Sequence, residues 1–210
     1  MAIKPILFNS EMVRAILDGR KDVTRKIVKG FIPDDAVWGY TAFTPKGYIS
    51  CRGTFADGYG EKFFKLPCEP GDILYVRETW KKALNGYYYY EAWQRNDIAD
   101  VTKWKPSIRM PKEAARIWLK VTNVRVERLQ EITDEQAKRE GIQYDECPTG
   151  FTWKQETDMH NCYTTPIGAM QALWNSTIKK SDLDGYGWDA NPWVWTIEFE
   201  RCEKPEEISG

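Results

Sequence analysis

Alternating apolar and polar residues are clearest in "RIWLKVTNVRVERL" (116–129), which predicts a long β-strand. The apolar positions alternate up to Val121 and resume one place out of phase at Val124, which predicts a bulge or turn at Thr122–Asn123. A second long strand is predicted in "NPWVWTIEFERC" (191–202), where large apolar residues occupy every second position. Shorter apolar runs between glycine and proline turns predict several further strands.

Helices are predicted at three places from apolar residues spaced three and four apart and from capping residues. The first begins with Ser10 as N-cap and ends at Gly19, which favours a left-handed C-terminal turn. The second begins with a capping box from Thr133 and ends at Gly141. The third begins at Thr165–Pro166, an N-cap followed by proline at the first helical position.

Many short strands and few helices predict an α+β fold. We expect a β-barrel or a strongly curved sheet with peripheral helices. A chain of 210 residues suffices for one large domain with a core of its own. The segments at about 27–66, 81–111 and 143–190 are interpreted as insertions into this single domain (1–210).

Composition indicates a folded protein of the cytoplasm. No apolar run approaches the ~20 residues that a membrane span needs, and the first residues lack the features of a secretory signal. The five cysteines include no C-x-x-C pair, which is typical of unpaired thiols in a reducing compartment. Cys147, His160 and Cys162 are spaced too irregularly to indicate a metal site, so neither a metal nor another cofactor is predicted.

The net charge of −1 hides a basic run at 103–128, which has eight basic residues against two acidic ones. Such a run favours a local face for nucleic acid, for which Lys105, Arg109 and Arg116 are the candidate contacts. The alternative is a solvated strand edge rich in lysine and arginine. The ten tryptophans and eleven tyrosines allow either base stacking or ordinary core packing.

The order of several segments resembles the ASCH domain, a family of the PUA-like superfamily that includes RNA-binding and modified-base-reading proteins. The segments are "ILDGRKDVTRK", "GDILYVRE", "ARIWLKVTNVRVERL", "DEQAKREGI" and "VWTIEFERC". The phrases "YVRETW", "PSIRMP" and "GYGWDANPWVW" resemble prophage-encoded ASCH proteins. The resemblance implies a PUA-like β-barrel, with a mixed and strongly curved sheet. It also implies recognition of a nucleobase, nucleoside or nucleic acid and a phage or prophage origin.

Small bacterial ASCH proteins hydrolyse cytidine that is acylated on its exocyclic amine. The resemblance implies the same catalytic set here, with Lys21 and Thr24 in "GRKDVT" and Glu140 in "AKREGI". One departure is that Lys26 stands where those proteins have arginine, while Arg25 lies one place earlier. Other relatives bind nucleic acid without this hydrolysis, so a non-catalytic binding module is the alternative function.

The three residue types are suited to hydrolysis of an amide. Thr24 supplies a hydroxyl nucleophile, Lys21 accepts its proton once the ammonium is deprotonated, and Glu140 protonates the leaving amine or orients the lysine. Residues 21 and 24 of a regular strand point to opposite faces, so Lys21 must lie in a turn and the strand must begin near Val23. The structural alternative is Lys21 beside a helix C-terminus and Glu140 at a solvated helix end.

Further candidates concern binding of the substrate. Glu78 and Trp80 in "YVRETW" are expected to contact a base, through its amino group and its ring face. The alternative places Trp80 in the core and pairs Glu78 with Arg77 or Lys81. The basic residues around the catalytic set are expected to bind the substrate: Arg20, Arg25 and Lys26. The guanidinium of Arg25 is suited to a phosphate or a developing oxyanion.

Overall fold

The computed structural model describes residues 1–94, 103–144, 150–154 and 162–206. The fold is α+β, as predicted, and consists mostly of sheet with few helices. The strands are β1 (Ile3–Leu7), β2 (Val23–Ile27), β3 (Val37–Gly39), β4 (Tyr48–Phe55), β5 (Gly58–Lys65), β6 (Ile73–Arg77), β7 (Trp80–Ala83), β8 (Gly86–Tyr89), β9 (Trp118–Arg128), β10 (Gln143–Tyr144), β11 (Phe151–Thr152) and β12 (Trp193–Cys202). The helices are α1 (Ser10–Leu17), α2 (Tyr90–Gln94), α3 (Asp134–Arg139), α4 (Pro166–Thr177) and α5 (Leu183–Tyr186).

Five strands form the main sheet, in the order β1-β6-β9-β12-β2. Strand β1 runs parallel to β6, and the other neighbours are antiparallel, so the predicted mixed sheet is present. The predicted barrel is wrong, because β1 and β2 are the two edges and do not pair with each other. Helix α1 joins these edge strands and buries Val13 and Ile16 in the core, so a helix covers apolar surface where a closed barrel would pair strands.

A bulge interrupts the pairing of the two longest strands. Glu198 of β12 lies opposite Asn123 of β9, but the next residue, Phe199, lies opposite Val121. Thr122 is therefore the extra residue, and the bulge that the sequence predicted at this point is confirmed.

The three predicted insertions contain the small sheets and the longest helix. Segment 27–66 holds the three-stranded sheet β3-β4-β5, and 81–111 holds most of the hairpin β7-β8. Segment 143–190 holds β10, β11 and α4. Helix α4 packs against α3 in a second core cluster, which includes Met170, Leu173 and Trp174. The third core cluster lies beside the hairpin β7-β8.

Capping residues set the helix boundaries largely as predicted. The N-cap of α1 is Asn9, one residue before the predicted Ser10, and its side chain accepts a hydrogen bond of 2.8 Å from the Met12 amide. The capping box of Thr133 and Gln136 is present on α3. Thr165 caps α4. These contacts satisfy amide groups that the first turn of a helix leaves unpaired.

Two further expectations concern membranes and thiols. Among the residues that the structure describes, no helix combines the length and hydrophobicity needed to cross a membrane. Cys51, Cys68 and Cys202 are free, as expected. The expectation of unpaired thiols is wrong for Cys162, which is disulfide-bonded.

Gly141 fixes the distance between the C-terminal ends of α1 and α3. Its φ is +107°, and a Cβ at this position would lie 2.9 Å from the Cβ of Ala15 and 3.8 Å from that of Lys21. The helix ends therefore approach closely only because residue 141 has no side chain.

We predict that Gly141→Ala destabilises the protein, because it adds a steric clash to the cost of a left-handed backbone, which alone is about 1–3 kcal/mol. Chemical denaturation measures the change in the free energy of unfolding. Gly58→Ala is the matched control, since Gly58 has a φ of +110° but nothing within 4 Å of an added Cβ. Equal losses in the two variants would contradict the proposed clash.

Candidate functional site

Lys21 lies in the turn between α1 and β2, as convergence with Thr24 requires. After Gly19, whose φ is +75°, the Lys21 amide donates a hydrogen bond of 3.0 Å back to the Ala15 carbonyl. Strand β2 begins only at Val23. Lys21 instead forms an isolated antiparallel bridge with Glu140, the C-cap of α3. The turn thus brings the lysine and the glutamate together across a large distance in the chain.

The carboxylate of Glu140 is shared by two cations. Its Oε2 accepts a hydrogen bond from Lys21 Nζ, and its Oε1 accepts one of 3.0 Å from Arg25 Nη1. The side chains of Lys21 and Arg25 are 0% exposed, and that of Glu140 is 3% exposed. Buried charges of this kind are stable only when paired and hydrogen-bonded, and here the glutamate provides both.

The ammonium of Lys21 has three oxygen acceptors. Besides the carboxylate, Nζ donates to the backbone carbonyls of Val23 at 2.8 Å and Glu140 at 3.0 Å. Burial lowers the pKa of Lys21, although the charge of Glu140 acts in the opposite direction. The amine is therefore easier to deprotonate than an exposed lysine.

Arg25 also binds a second carboxylate, which sequence reasoning missed. Its Nε and Nη2 donate to Glu127 Oε1 at 3.1 and 2.6 Å, and Nη2 donates to Gln136 Oε1 at 3.2 Å. The Thr196 hydroxyl donates to the same oxygen of Glu127 at 2.7 Å. Only the strand order β9-β12-β2 brings these residues together, and the local pattern around Glu127 does not reveal that order.

A cavity of about 500 Å³ opens beside this cluster. Of the predicted catalytic set, Thr24 and Glu140 line this cavity, whereas the buried Lys21 is not among its lining residues. Arg25 and Lys26 also line it. The rest of the wall consists of apolar and small polar residues: Leu7, Phe8, Asn9, Met12, Thr79, Ser107, Met170, Leu173, Trp174, Ser176 and Thr177.

Three predicted substrate contacts do not line this cavity. Arg20 donates to the Gly141 carbonyl at 2.8 Å and pairs with Asp18. Glu78 is 2% exposed and accepts two hydrogen bonds of 2.8 Å from Arg116, which is neither of the partners considered from the sequence. Trp80 is buried in the third core cluster.

The environment of Glu78 is that of a buried structural carboxylate. Burial raises its pKa, and the hydrogen bonds and charge of Arg116 oppose the shift. Arg116 also pairs with Glu91 at 3.1 Å, so this arginine holds two buried carboxylates.

Carboxylates pair with much of the basic run 103–128. Arg125 pairs with Glu127 and Glu198, Arg128 pairs with Asp34, and Lys120 pairs with Glu200. Of the three predicted nucleic-acid contacts, Lys105 and Arg109 are exposed, whereas Arg116 is held in the ion pairs just described. The alternative of a solvated basic edge fits part of this run.

The described residues contain no group of three or more histidine, cysteine, aspartate or glutamate side chains that could hold a metal ion. Cys147 and His160, from the weak metal pattern in the sequence, lie outside the described residues.

Comparison with known proteins supplies no relative. No family model matches the chain, and no curated protein or solved structure matches it either. The interpretation of the site therefore depends on its residues and their geometry.

We predict that Glu127→Gln reduces stability at neutral pH by about 1–3 kcal/mol, because charged hydrogen bonds are lost. Burial raises the pKa of Glu127, but the Thr196 hydroxyl, Arg25 and Arg125 outweigh it and hold the value below 4.5. The ionised Glu127 carboxylate therefore stabilises the fold fully at pH values above 4.5, the ordinary pKa of glutamate. This stabilisation is lost as the pH falls through the lower pKa of the folded state.

Chemical denaturation of the wild-type protein and the Glu127→Gln variant at neutral and acidic pH checks this prediction. The difference in unfolding free energy should shrink on acidification. The control is Glu200→Gln, since the exposed pair of Glu200 with Lys120 contributes little. If the loss of unfolding free energy caused by Glu127→Gln is the same at neutral and acidic pH, the stabilisation does not depend on ionisation of Glu127.

Proposed function

We propose that the protein is a nucleobase-recognising protein of the ASCH type, of phage or prophage origin, that acts in the cytoplasm. Its proposed activity is hydrolysis of the amide on the exocyclic amine of an N-acylated cytidine. The observation that carries the proposal is the buried cluster of Lys21, Glu140 and Arg25, which meets a cavity that Glu140, Arg25 and Thr24 all line.

The cavity suits a nucleoside in size and lining. Its volume of about 500 Å³ lies within the roughly 300–1,000 Å³ of typical small-molecule sites. The wall includes the aromatic residues Phe8 and Trp174, and the hydroxyl oxygens of Ser107, Ser176 and Thr177 can accept hydrogen bonds from a base.

The first half of the proposed reaction forms an acyl-enzyme. A proton shift within the Lys21–Glu140 pair gives a neutral amine and a carboxylic acid. The amine takes the Thr24 proton as Oγ attacks the acyl carbon and the carbonyl oxygen becomes an oxyanion. Glu140 then gives its proton to the exocyclic nitrogen, the C–N bond breaks, and the free amine of cytidine leaves.

Water completes the reaction. It attacks the ester on Thr24 and gives a proton to the Glu140 carboxylate. The Thr24 oxygen then leaves as it takes back the proton held by Lys21, which releases a carboxylic acid. One amide and one water become one amine and one acid. The pair is left as a neutral amine and a carboxylic acid, and the reverse proton shift from Glu140 to Lys21 restores the ammonium and the carboxylate.

Lys26 and Arg25 have different parts in this proposal. Arg25 already binds Glu140 and Glu127, so its main effect is to hold the acid in place. Lys26 lines the cavity and carries a charge suited to the developing oxyanion or a substrate phosphate.

We predict that Thr24→Val lowers hydrolysis of N4-acetylcytidine by at least about 100-fold, because it removes the nucleophile but keeps a β-branched side chain in the strand. Chromatographic detection of cytidine measures the rate, and circular dichroism checks the fold.

Thr122→Val is the matched control, since Thr122 is an exposed threonine of β9 that does not line the cavity. The proposed activity is refuted if the wild-type protein leaves a panel of N-acylated cytidines unchanged. Thr24 is excluded as nucleophile if Thr24→Val and Thr122→Val are equally active.

The alternative function is a binding module for RNA, DNA or a modified base without catalysis. The observation that favours it is the full set of acceptors around Lys21 Nζ, which satisfies all three ammonium hydrogens. A lysine held in this way is suited to a structural ion pair, and the cavity would then bind a base without hydrolysing it.

We predict for this alternative that Lys105→Glu with Arg109→Glu weakens binding of a nucleic acid and reduces its salt dependence by about two phosphate contacts. Fluorescence anisotropy at several salt concentrations measures both. Arg116 is left unchanged, because reversal of its charge would break buried ion pairs.

The control for this double variant is Lys46→Glu with Arg52→Glu, two exposed basic residues at β4 and the turn before it. Equal affinity of the wild type and the Lys105/Arg109 variant would remove these residues from the interface.

A further inference from the structure

Strand β5 is a long edge strand. It has eight residues, whereas the strands of globular proteins usually have about five or six. Among the residues that the structure describes, it pairs with β4 and with no other strand. Most of its side chains are exposed, including those of Tyr59 (73%) and Phe63 (39%). An edge of this kind presents backbone groups that a further strand can bind.

The register with β4 shows which backbone groups of β5 point to this edge. The Leu66 amide donates a hydrogen bond of 2.8 Å to the Gly47 carbonyl, and the register continues from this pair along β5 without a shift. Hydrogen-bonded pairs alternate along an antiparallel ladder, so the even-numbered residues of β5 bond to β4. The odd-numbered residues therefore direct their N–H and C=O groups to the edge: Tyr59, Glu61, Phe63 and Lys65.

The inner face of the sheet β3-β4-β5 fixes this edge to the body of the protein. Phe64 packs against the first core cluster, and its ring centroid lies 5.1 Å from that of Trp38. Trp38 in turn contacts Trp193 and Trp195 of β12, with centroids 5.7 and 6.2 Å apart. Because neighbouring residues of a strand alternate, Phe63 projects from the outer face.

The charges of the outer face favour one antiparallel pairing of β5 with a second copy of itself. Glu61, Phe63 and Lys65 share this face, because they are alternate residues of the strand. A twofold axis at Phe63 places it opposite Phe63 of the partner subunit, and it places each Glu61 opposite Lys65 of the partner subunit. Opposite charges and aromatic rings in directly opposite positions both stabilise a strand pair. These are also the residues whose backbone groups point to the edge, so each such pair exchanges two hydrogen bonds.

Neighbouring registers bring like charges together. A twofold axis at Glu61 sets the two Glu61 side chains opposite each other, and an axis at Lys62 does the same for the two lysines. Like charges in directly opposite positions destabilise a strand pair. Lysines on an edge strand ordinarily discourage pairing. The register at Phe63 instead gives Lys65 an acidic partner without setting like charges opposite each other.

We propose that the protein forms a twofold dimer in which the β5 strands of two copies pair antiparallel about Phe63. The pairing joins the two three-stranded sheets into one continuous sheet. Of the described residues that line the main cavity, which is the one beside Glu140, none comes from β3, β4 or β5. The dimer therefore does not use the walls of this cavity, and the inference is independent of the proposed function.

The test measures the dimerisation constant of the full-length protein by analytical ultracentrifugation over a range of concentrations. Lys65→Glu sets glutamates opposite each other at two places and should weaken dimerisation about 10- to 100-fold. Glu61→Lys should have a similar effect. The variant with both substitutions should recover the affinity, because the exchanged charges form the same two pairs. Residues 61 and 65 of one strand are about 13 Å apart, so this recovery must come from contacts between subunits.

The control for the charge reversals is Lys180→Glu, at an exposed lysine outside the three-stranded sheet, which should leave dimerisation unchanged. Circular dichroism of each variant checks that it is folded.

A cysteine cross-link checks the register. The Cα atoms of a hydrogen-bonded antiparallel pair are ~5.5 Å apart, which is within the range that a disulfide spans. Phe63→Cys should therefore form a covalent dimer on oxidation. Tyr59→Cys is the matched control, because this exposed residue of β5 lies about 26 Å from its copy in the proposed register. The wild type gives the background from its own free thiols.

A wild-type dimer that each single reversal weakens and the double variant restores supports the proposal. A wild type that stays monomeric at every concentration up to its solubility limit overturns it, and so does a dimer that neither single reversal weakens. If Phe63→Cys cross-links no more than Tyr59→Cys, the strands do not pair about Phe63.

Discussion

The carboxylate of Glu140 joins three structural elements: the turn after α1, strand β2 and the C-terminal end of α3. It receives one hydrogen bond from Lys21 in the turn after α1 and another from Arg25 in β2, while the residue itself ends α3. All three side chains are buried, so the loss of any one leaves an unpaired charge away from water. The position of α3 against the edge of the sheet is therefore set by electrostatics as much as by apolar contact.

The segments outside the main sheet take part in building the site. Helix α4 belongs to the segment interpreted as the third insertion, yet it supplies Met170, Leu173 and Trp174 to the wall of the main cavity. Thr79 and Ser107 come from the connections around the hairpin β7-β8. A sheet with α1 and α3 alone would leave Thr24 and Glu140 on an open surface, and the added segments turn that surface into a cavity.

The sequence was informative wherever structure depends on near neighbours. The capping box at Thr133, the bulge at Thr122 and the start of β2 at Val23 follow from local patterns, and each is present. The meeting of Lys21 with Glu140 was expected only through resemblance to a family, because no periodicity links such distant residues.

Interactions that depend on strand order were missed. Glu127 approaches Arg25 because β12 lies between their strands, and Glu78 approaches Arg116 because β6 pairs with β9. The open sheet was missed for the same reason. Whether the two edge strands pair or a helix covers the apolar surface between them depends on packing of the whole molecule, which local patterns do not reveal.

The place of β12 in the sheet has a consequence for how the protein is made. This strand lies between β9 and β2, and its residue Ile197 pairs with Thr24, so an early and a late part of the chain are neighbours. A ribosome must release residues 193–202 before β2 can pair with β12 in the main sheet. Contacts so distant along the chain slow folding, and the nascent polypeptide keeps the edge of its sheet unpaired until then.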